Sequence, residues 1–324
     1  MSDATGSADF RTLIARGDDY ARNGDARAAV SFYQLALASA RQSRSVDAHG
    51  MQQLQRAQAY VQARAQDFQQ SLSRAIDGIE PAGTHAKARL RHSLDMLNGT
   101  REIFAQQPSV FYYPYLAQRQ FFEREEFEWA EALEAETPAI KAELVELLRQ
   151  GAQFRPYIEA EKDRPGRDFH GLLDDPSWSA FYLWKDGKVV EENAARCPRT
   201  MAALEKVPLS NVGSRTPSVL FSLLTPGAHI PPHHGMLNSR LICHLPLIVP
   251  PGCWLRVGNE TRNWEEGRLL IFDDSIQHEA RNPSAETRVI LLFDVWRPEL
   301  GDDERRGISA IFDAIDRFAP LPDA

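Results

Sequence analysis

The sequence predicts an α+β chain in which an α-helical N-terminal region, residues 1–107, precedes a β-rich domain, residues 108–324, with helices buttressing its sheets. Three observations predict it. No proline interrupts the run from Asp9 to Ala75, which is rich in the good helix formers alanine, glutamine, arginine and leucine. The character changes at Gln107-Pro108-Ser-Val-Phe-Tyr-Tyr-Pro-Tyr115. From about Ser179, short runs of β-formers recur between Gly, Pro and Asn, a spacing that suits a barrel or a sandwich.

In chain order, MSDATGSADF has neither the basic nor the apolar segment of a secretion signal, and no stretch approaches the roughly 20 apolar residues that span a bilayer. A cytoplasmic chain without membrane association is expected. Leu13, Gly17, Tyr20, Ala29, Tyr33 and Ala36 fall at the offsets of one tetratricopeptide repeat, where small residues let two helices approach and aromatics fill the gap. An undistinguished helical hairpin is the alternative. Residues 46–79 contain no convincing second copy but can supply a partner helix, which a lone repeat needs to bury its apolar face. After a break at Pro81-Ala-Gly-Thr84, helix is expected over 85–105. It is expected again over 119–150, where Phe121, Phe122, Trp129, Leu133, Ile140, Leu144 and Leu147 suit one face of two helices broken at Pro138.

The strand candidates are 181–184, 218–224, 241–249, 253–257, 268–272 and 288–295, with Asp186-Gly187 and Gly258-Asn259 as hairpin tips. No Gly-rich loop joins a strand to a helix, so a doubly wound nucleotide-binding fold has little support. A formal net charge of −8 leaves no basic footprint for nucleic acid. Cys197, Cys243 and Cys253 are odd in number and lack CxxC spacing, which argues against disulfides and structural zinc and for a reducing compartment.

Four of nine histidines, His229, His233, His234 and His244, lie within sixteen residues, and His278 follows on a later strand or its exit loop. Neutral imidazoles on separate strands can converge at the mouth of a barrel and bind a first-row transition metal. The alternative for each is a hydrogen-bonded residue at a strand end.

The segments Pro231-Pro-His-His-Gly-Met-Leu-Asn-Ser-Arg-Leu-Ile-Cys-His-Leu-Pro-Leu247, Gly258-Asn-Glu-Thr-Arg-Asn-Trp-Glu-Glu-Gly267, Leu270-Ile-Phe-Asp-Asp-Ser-Ile-Gln-His-Glu279 and Arg288-Val-Ile-Leu-Leu-Phe-Asp-Val-Trp-Arg-Pro-Glu-Leu300 resemble the aspartyl/asparaginyl β-hydroxylase family over roughly 110–300. The resemblance implies a double-stranded β-helix, also called a jelly-roll or cupin-like fold. It also implies an Fe(II) oxygenase that consumes 2-oxoglutarate and O2, releases succinate and CO2, and hydroxylates an unactivated carbon. His233 matches the first metal histidine and His278 the second. Gly235 stands where the usual two-His-one-carboxylate triad holds Asp or Glu, as it does in characterised members of the family. Arg288 is the candidate for the distal carboxylate of 2-oxoglutarate, because a guanidinium fork matches planar oxygens, and Ser222 matches its hydroxyl partner. His244 corresponds to a histidine that reaches the cosubstrate; a buried structural histidine is its alternative. Arg240 faces cofactor or substrate, or else forms an ion pair. Ile242 replaces a second arginine of the animal hydroxylases.

Structural turn roles are expected for Asp273 and Asp274, and packing roles for Trp264 and Trp296. The expected substrate is a peptide, a protein side chain, such as the β-carbon of an Asp/Asn-type residue, or a small amino-acid derivative, with the helical region available to recruit a protein partner. Two alternatives are a cupin-like metal-binding or catalytically silent interaction module, and an iron halogenase using the space at Gly235.

Overall fold

A computed structural model describes residues 9–43, 45–79, 84–160 and 171–318. The first eight residues and most of the break expected at Pro81-Ala-Gly-Thr84 lie outside these. The chain divides into two compact units at Glu102/Ile103.

The first unit comprises α1 (Phe10–Arg22), α2 (Ala26–Gln42), α3 (Ala48–Ile76) and α4 (Thr84–Leu97). Asp25 caps α2 by accepting from the Ala28 N–H, and Asp47 caps α3 by accepting from the Gly50 N–H. Leu13, Ala29, Tyr33 and Ala36 are buried with Phe10 and Ile14, and α3 completes this core with Leu54 and Ala57. Gly17 is required on α1 because a Cβ there would lie 2.6 Å from the Tyr33 ring. Tyr20, half-buried, stacks on Phe32. Helix α4 ends at Leu97 rather than continuing to 105: Gly99, at φ 69°, turns the chain back so that the Thr100 N–H bonds the Asp95 carbonyl.

The second unit holds twelve strands among the described residues. They are β1 (Phe121–Phe122), β2 (Arg155–Pro156), β3 (Trp178–Lys185), β4 (Lys188–Val189), β5 (Val219–Leu224), β6 (His229–His233), β7 (Arg240–Ile248), β8 (Trp254–Val257), β9 (Glu260–Asn263), β10 (Leu270–Phe272), β11 (His278–Arg281) and β12 (Arg288–Trp296). One sheet runs β1-β10-β7-β12-β5-β3-β2, with β4 paired to β3, and the other runs β6-β11-β8-β9. The strands from β5 onward thus form the two four-stranded antiparallel layers of a jelly roll, β10-β7-β12-β5 against β6-β11-β8-β9.

Alternation along each strand assigns the faces. On the large sheet, Phe221, Cys243, Leu245, Leu291 and Phe293 point outward to a core shared with Leu133 of α5 (Ala130–Ala135) and Ile140, Leu144 and Leu147 of α6 (Thr137–Arg149). Leu220, Leu224, Ile242, Phe272, Ile290 and Leu292 point inward and meet Ile230, Leu255, Val257 and Ala280 of the small sheet. Two short helices, α7 (Glu191–Ala194) and α8 (Pro198–Leu204), follow β4, and α9 (Asp302–Phe318) closes the chain, burying Ile308 and Phe312. Among the described residues, no helix is long and apolar enough to cross a membrane.

The expectation of helix over 119–150 is corrected at its start. Phe121 and Phe122 pair with Phe272 and Ile271 at the sheet edge, and after one 3-10 turn at Arg124–Glu126 the α-helical residues are Ala130–Ala135 and Thr137–Arg149. Pro138 does not break a helix; it lies in the first turn of α6, where no N–H is needed. Asp186-Gly187 and Gly258-Asn259 form the β3–β4 and β8–β9 turns, with Asp186, Gly187 and Gly258 at positive φ.

Asn282, fully buried after β11, ties three loops together. Its amide donates to the carbonyls of Leu224, Thr225 and Glu286, and its Oδ1 accepts from the Ser284 N–H and the Cys253 thiol. Asn282→Ala strands several buried polar groups at once. It is expected to cost about 3 kcal/mol or more, at 1–3 kcal/mol for each unsatisfied group, read as a lowered urea midpoint at unchanged slope.

Candidate functional site

The small sheet places His233 at the end of β6 directly opposite His278 at the start of β11. The ring centroids lie 4.1 Å apart. Each Nδ1 bonds the carbonyl two residues earlier, that of Pro231 at 2.7 Å and of Ile276 at 3.1 Å. A carbonyl only accepts, so Nδ1 carries a proton in both rings, which directs metal ligation to Nε2. Burial, then the neighbouring His233, holds His278 well below the ordinary histidine range and keeps it neutral. Among the described residues, no third His, Cys, Asp or Glu joins a metal-holding group.

Across the interior stand Ser222, His244 and Arg288, all inward on β5, β7 and β12 by the same alternation. Arg288 is 1% exposed, and no carboxylate among the described residues pairs with it. Its Nη1 donates to the Ser222 carbonyl at 3.3 Å, its Nε has no partner, and its guanidinium lies 4.7 Å over the Trp264 ring. Burial alone pushes its pKa down to about 10. A cation held dry without an anion is costly, and the pocket is satisfied when a carboxylate enters.

The Trp264 indole donates to His244 Nδ1 at 3.2 Å, which leaves the His244 proton on Nε2 as a donor. Desolvation, then Arg288, holds His244 neutral. Trp178 donates to Ser222 Oγ at 3.3 Å, and Phe272 packs 4.9 Å from His244 and 5.6 Å from His278. These residues fit a metal and a carboxylate cosubstrate: two facing imidazoles whose Nδ1–H groups bond carbonyls, and a guanidinium with no carboxylate partner among the described residues, inside the same jelly roll.

Arg240 lies in a different setting. It pairs with Asp274 at 3.1 Å and Asp294 at 3.5 Å, both buried. Burial pushes each carboxyl up to about 6, against the pull of Arg240. The ion-pair alternative for Arg240 is therefore formed. Asp273 has the structural role expected of it, accepting from Ser275, Gln106 and Arg297. His229 pairs with Glu279 at the surface, and His234 is half-buried.

Gly235 has a reason beyond being small. A Cβ there would come within 1.9 Å of Asp274 Oδ2, so the carboxylate of Asp274 fills the space a side chain at 235 would use. Gly235→Ala is expected to lower thermal stability by about 1–3 kcal/mol, the usual cost of overpacking, and to weaken metal binding by shifting the His233 strand end. Differential scanning calorimetry and Mn(II) titration check this.

Sequence reasoning placed Trp264 in packing; it contacts both His244 and Arg288. Trp178 was not singled out. Its signal was alternation, because Trp178, Ala180 and Tyr182 share the inward face of β3.

The aspartyl/asparaginyl beta-hydroxylase family model matches residues 134–298, half of the chain. An aspartyl/asparaginyl beta-hydroxylase of Mus musculus is 43% identical over 141 residues, covering 43% of this chain and 19% of that protein. An ornithine lipid ester-linked acyl 2-hydroxylase of Rhizobium tropici is 37% identical over 175 residues, covering 53% of this chain and 58% of that protein. A human aspartate beta-hydroxylase domain-containing protein 2 is 34% identical over 212 residues, covering 64% of this chain and 55% of that protein. The chain thus spans about a fifth of the mouse protein and somewhat over half of the other two.

Proposed function

Because this chain belongs to the aspartyl/asparaginyl β-hydroxylase family, we propose that it is an Fe(II)- and 2-oxoglutarate-dependent dioxygenase that hydroxylates an unactivated carbon. The observation that carries the proposal is buried Arg288, without a carboxylate partner among the described residues, within the same jelly roll as the His233–His278 pair. In this reading His233 and His278 hold Fe(II), Arg288 and Ser222 take the distal carboxylate of 2-oxoglutarate, and His244 donates to the same cosubstrate. When bound, iron, 2-oxoglutarate and O2 supply the oxidative decarboxylation to succinate and CO2 and the hydroxylation that goes with it.

The chain's own contribution is positioning. The paired strands fix the separation of the imidazoles, the Nδ1 bonds fix their tautomer, and the inner apolar faces exclude water. Arg240, held by Asp274 and Asp294, faces substrate only by exchanging one of these carboxylates for it. The proposed substrate is a peptide, a protein side chain of Asp/Asn type or a small amino-acid derivative in the cytoplasm. The helical unit, taken as tetratricopeptide-like, is the proposed recruiter of a protein partner.

The halogenase alternative is disfavoured, because Asp274 puts a carboxylate where a halide beside Gly235 would sit. A silent cupin-like module is disfavoured by the facing histidine pair and by buried Arg288, which has no carboxylate partner among the described residues and costs stability without a ligand. The test is succinate formation from 2-oxoglutarate under Fe(II) and O2, joined to a proteome-wide comparison of a deletion strain for losses of one oxygen. No Fe(II) binding and no succinate with any candidate substrate would sink the proposal.

A further inference from the structure

Three aromatic rings run outward from the histidine pair. Trp178, buried in β3, has its ring centroid 6.2 Å from that of His233. Tyr157, half-buried just after β2, stacks on Trp178 at 4.0 Å with the planes 10° apart, and its N–H bonds the Trp178 carbonyl at 2.8 Å. Tyr182, on the same face of β3, lies 6.4 Å from Tyr157 with the planes at 26°, and is also half-buried. The ladder thus starts beside the metal histidine in the interior and ends on two phenols nearer the surface.

A second indole, Trp264, also contacts the site, but its electrostatics differ. The Arg288 guanidinium lies 4.7 Å over its ring, and a positive charge there opposes loss of an electron. Among the described residues, no cation covers Trp178. Of the two indoles, Trp178 is the one stacked on a tyrosine among the described residues.

We propose that Trp178, Tyr157 and Tyr182 form a relay that drains oxidising equivalents from the metal site when O2 and 2-oxoglutarate react with no substrate carbon in place. The relay rests on the oxygenase reading above. Trp178 gives one electron to the centre and takes one from Tyr157, whose phenol proton passes to water and is taken back from water when Tyr182 re-reduces it. The Tyr182 O–H bond breaks, its proton passes to water, and a neutral phenoxyl radical is left. A one-electron reductant in solution, ascorbate or a thiol, returns an electron and a proton to it. Two passes deliver two electrons which, with two protons from water, would reduce to water the oxygen atom of O2 not consumed in making succinate. No side chain gains oxygen, so the site is spared the self-oxidation that open oxidative chemistry invites.

The test uses the full chain with Fe(II), 2-oxoglutarate and O2, with substrate omitted and ascorbate present or absent. Freeze-quenched electron paramagnetic resonance reads the radical, and peptide mass mapping reads oxygen gained at Trp178, Trp264 and the tyrosines. Wild type is expected to show a tyrosyl radical that ascorbate quenches. Tyr157→Phe keeps the stacked ring but lacks the phenol. It is expected to keep the initial rate of succinate formation, lose most of the radical, and show a several-fold rise in oxygenated Trp178 with none at Trp264. Tyr182→Phe is expected to move the radical to Tyr157, with a changed hyperfine pattern, and this reads the relay independently of the first variant. Succinate formation with no tyrosyl radical in wild type, or with Trp178 oxidised equally in wild type and Tyr157→Phe, overturns the relay alone. Absence of succinate from wild type without substrate overturns the relay, which needs substrate-free turnover; the oxygenase reading falls with it only where Fe(II) does not bind and no candidate substrate yields succinate.

Discussion

Replacing Arg288 by methionine is expected to remove 2-oxoglutarate binding while leaving the empty protein as stable as before or more so. The two effects have opposite signs for one physical reason. Arg288 is a buried cation with no carboxylate partner among the described residues and an unbonded Nε, so its presence in the ligand-free protein costs free energy. Methionine fills similar volume without charge, and such exchanges of buried charge for apolar groups are often neutral or stabilising by about 1–4 kcal/mol. With 2-oxoglutarate present the balance reverses. Truncating one partner of a desolvated, hydrogen-bonded charge pair costs about 2–5 kcal/mol. At 1.4 kcal/mol per tenfold, this raises the apparent KM roughly 30- to 4,000-fold.

Thermal unfolding with and without 2-oxoglutarate checks both signs. Wild type should gain a ligand-dependent rise in Tm, and Arg288→Met should start no lower and gain none. Arg288→Lys should fall between, since an ammonium keeps the charge but not the planar fork. A methionine variant that melts well below wild type yet keeps its 2-oxoglutarate shift would show that Arg288 is a structural residue.

Replacing His278 by alanine is expected to abolish succinate formation and metal binding. Losing a hydrogen-bonded supporter of a ligand costs roughly 10–100-fold in metal affinity, and losing one of two imidazoles should exceed that. Mn(II) titration by calorimetry separates this from a folding defect. The same variant carries a pH signature. Burial holds the His278 pKa well below its ordinary 6.5, so the neutral ring is favoured in the fold. At pH above about 6.5 both folded and unfolded states carry it neutral, and its contribution to stability is whole. As pH falls below that value, the unfolded chain binds a proton that the folded chain refuses, and stability is lost down to the folded pKa. Wild type should therefore lose stability relative to His278→Ala as pH falls from 7 to 5. Asp274 and Asp294, pushed up to about 6, have the opposite slope in both proteins and cancel in the difference. Parallel stability curves for the two proteins over that range would refute the assignment of a buried neutral His278.

Much of the fold was legible because period-two and period-3.6 patterns are local. The large-sheet strands β3, β5, β7 and β12 are mostly apolar along their length, since both of their faces are largely buried. Strands β6, β9 and β11 gave no such run. His229-Ile-Pro-Pro-His233 and Glu260-Thr-Arg-Asn263 are polar or proline-bearing because only one face of the small sheet is covered. Phe121 and Phe122 read as helix because two residues carry no period, and their pairing partner lies 150 residues away.

By itself, the sequence determined the chemistry on offer: a helical region, a β-rich domain, two histidines with glycine in place of a third ligand, and an arginine on the last strand. Each is a residue type or a short-range pattern, and those are fixed by the chain alone. Only the tertiary structure decided what each group is paired with, because pairing depends on burial and on partners remote in sequence. It set His233 against His278 across two strands, gave Arg240 two carboxylates and Arg288 none among the described residues, and seated the Asp274 carboxylate over Gly235.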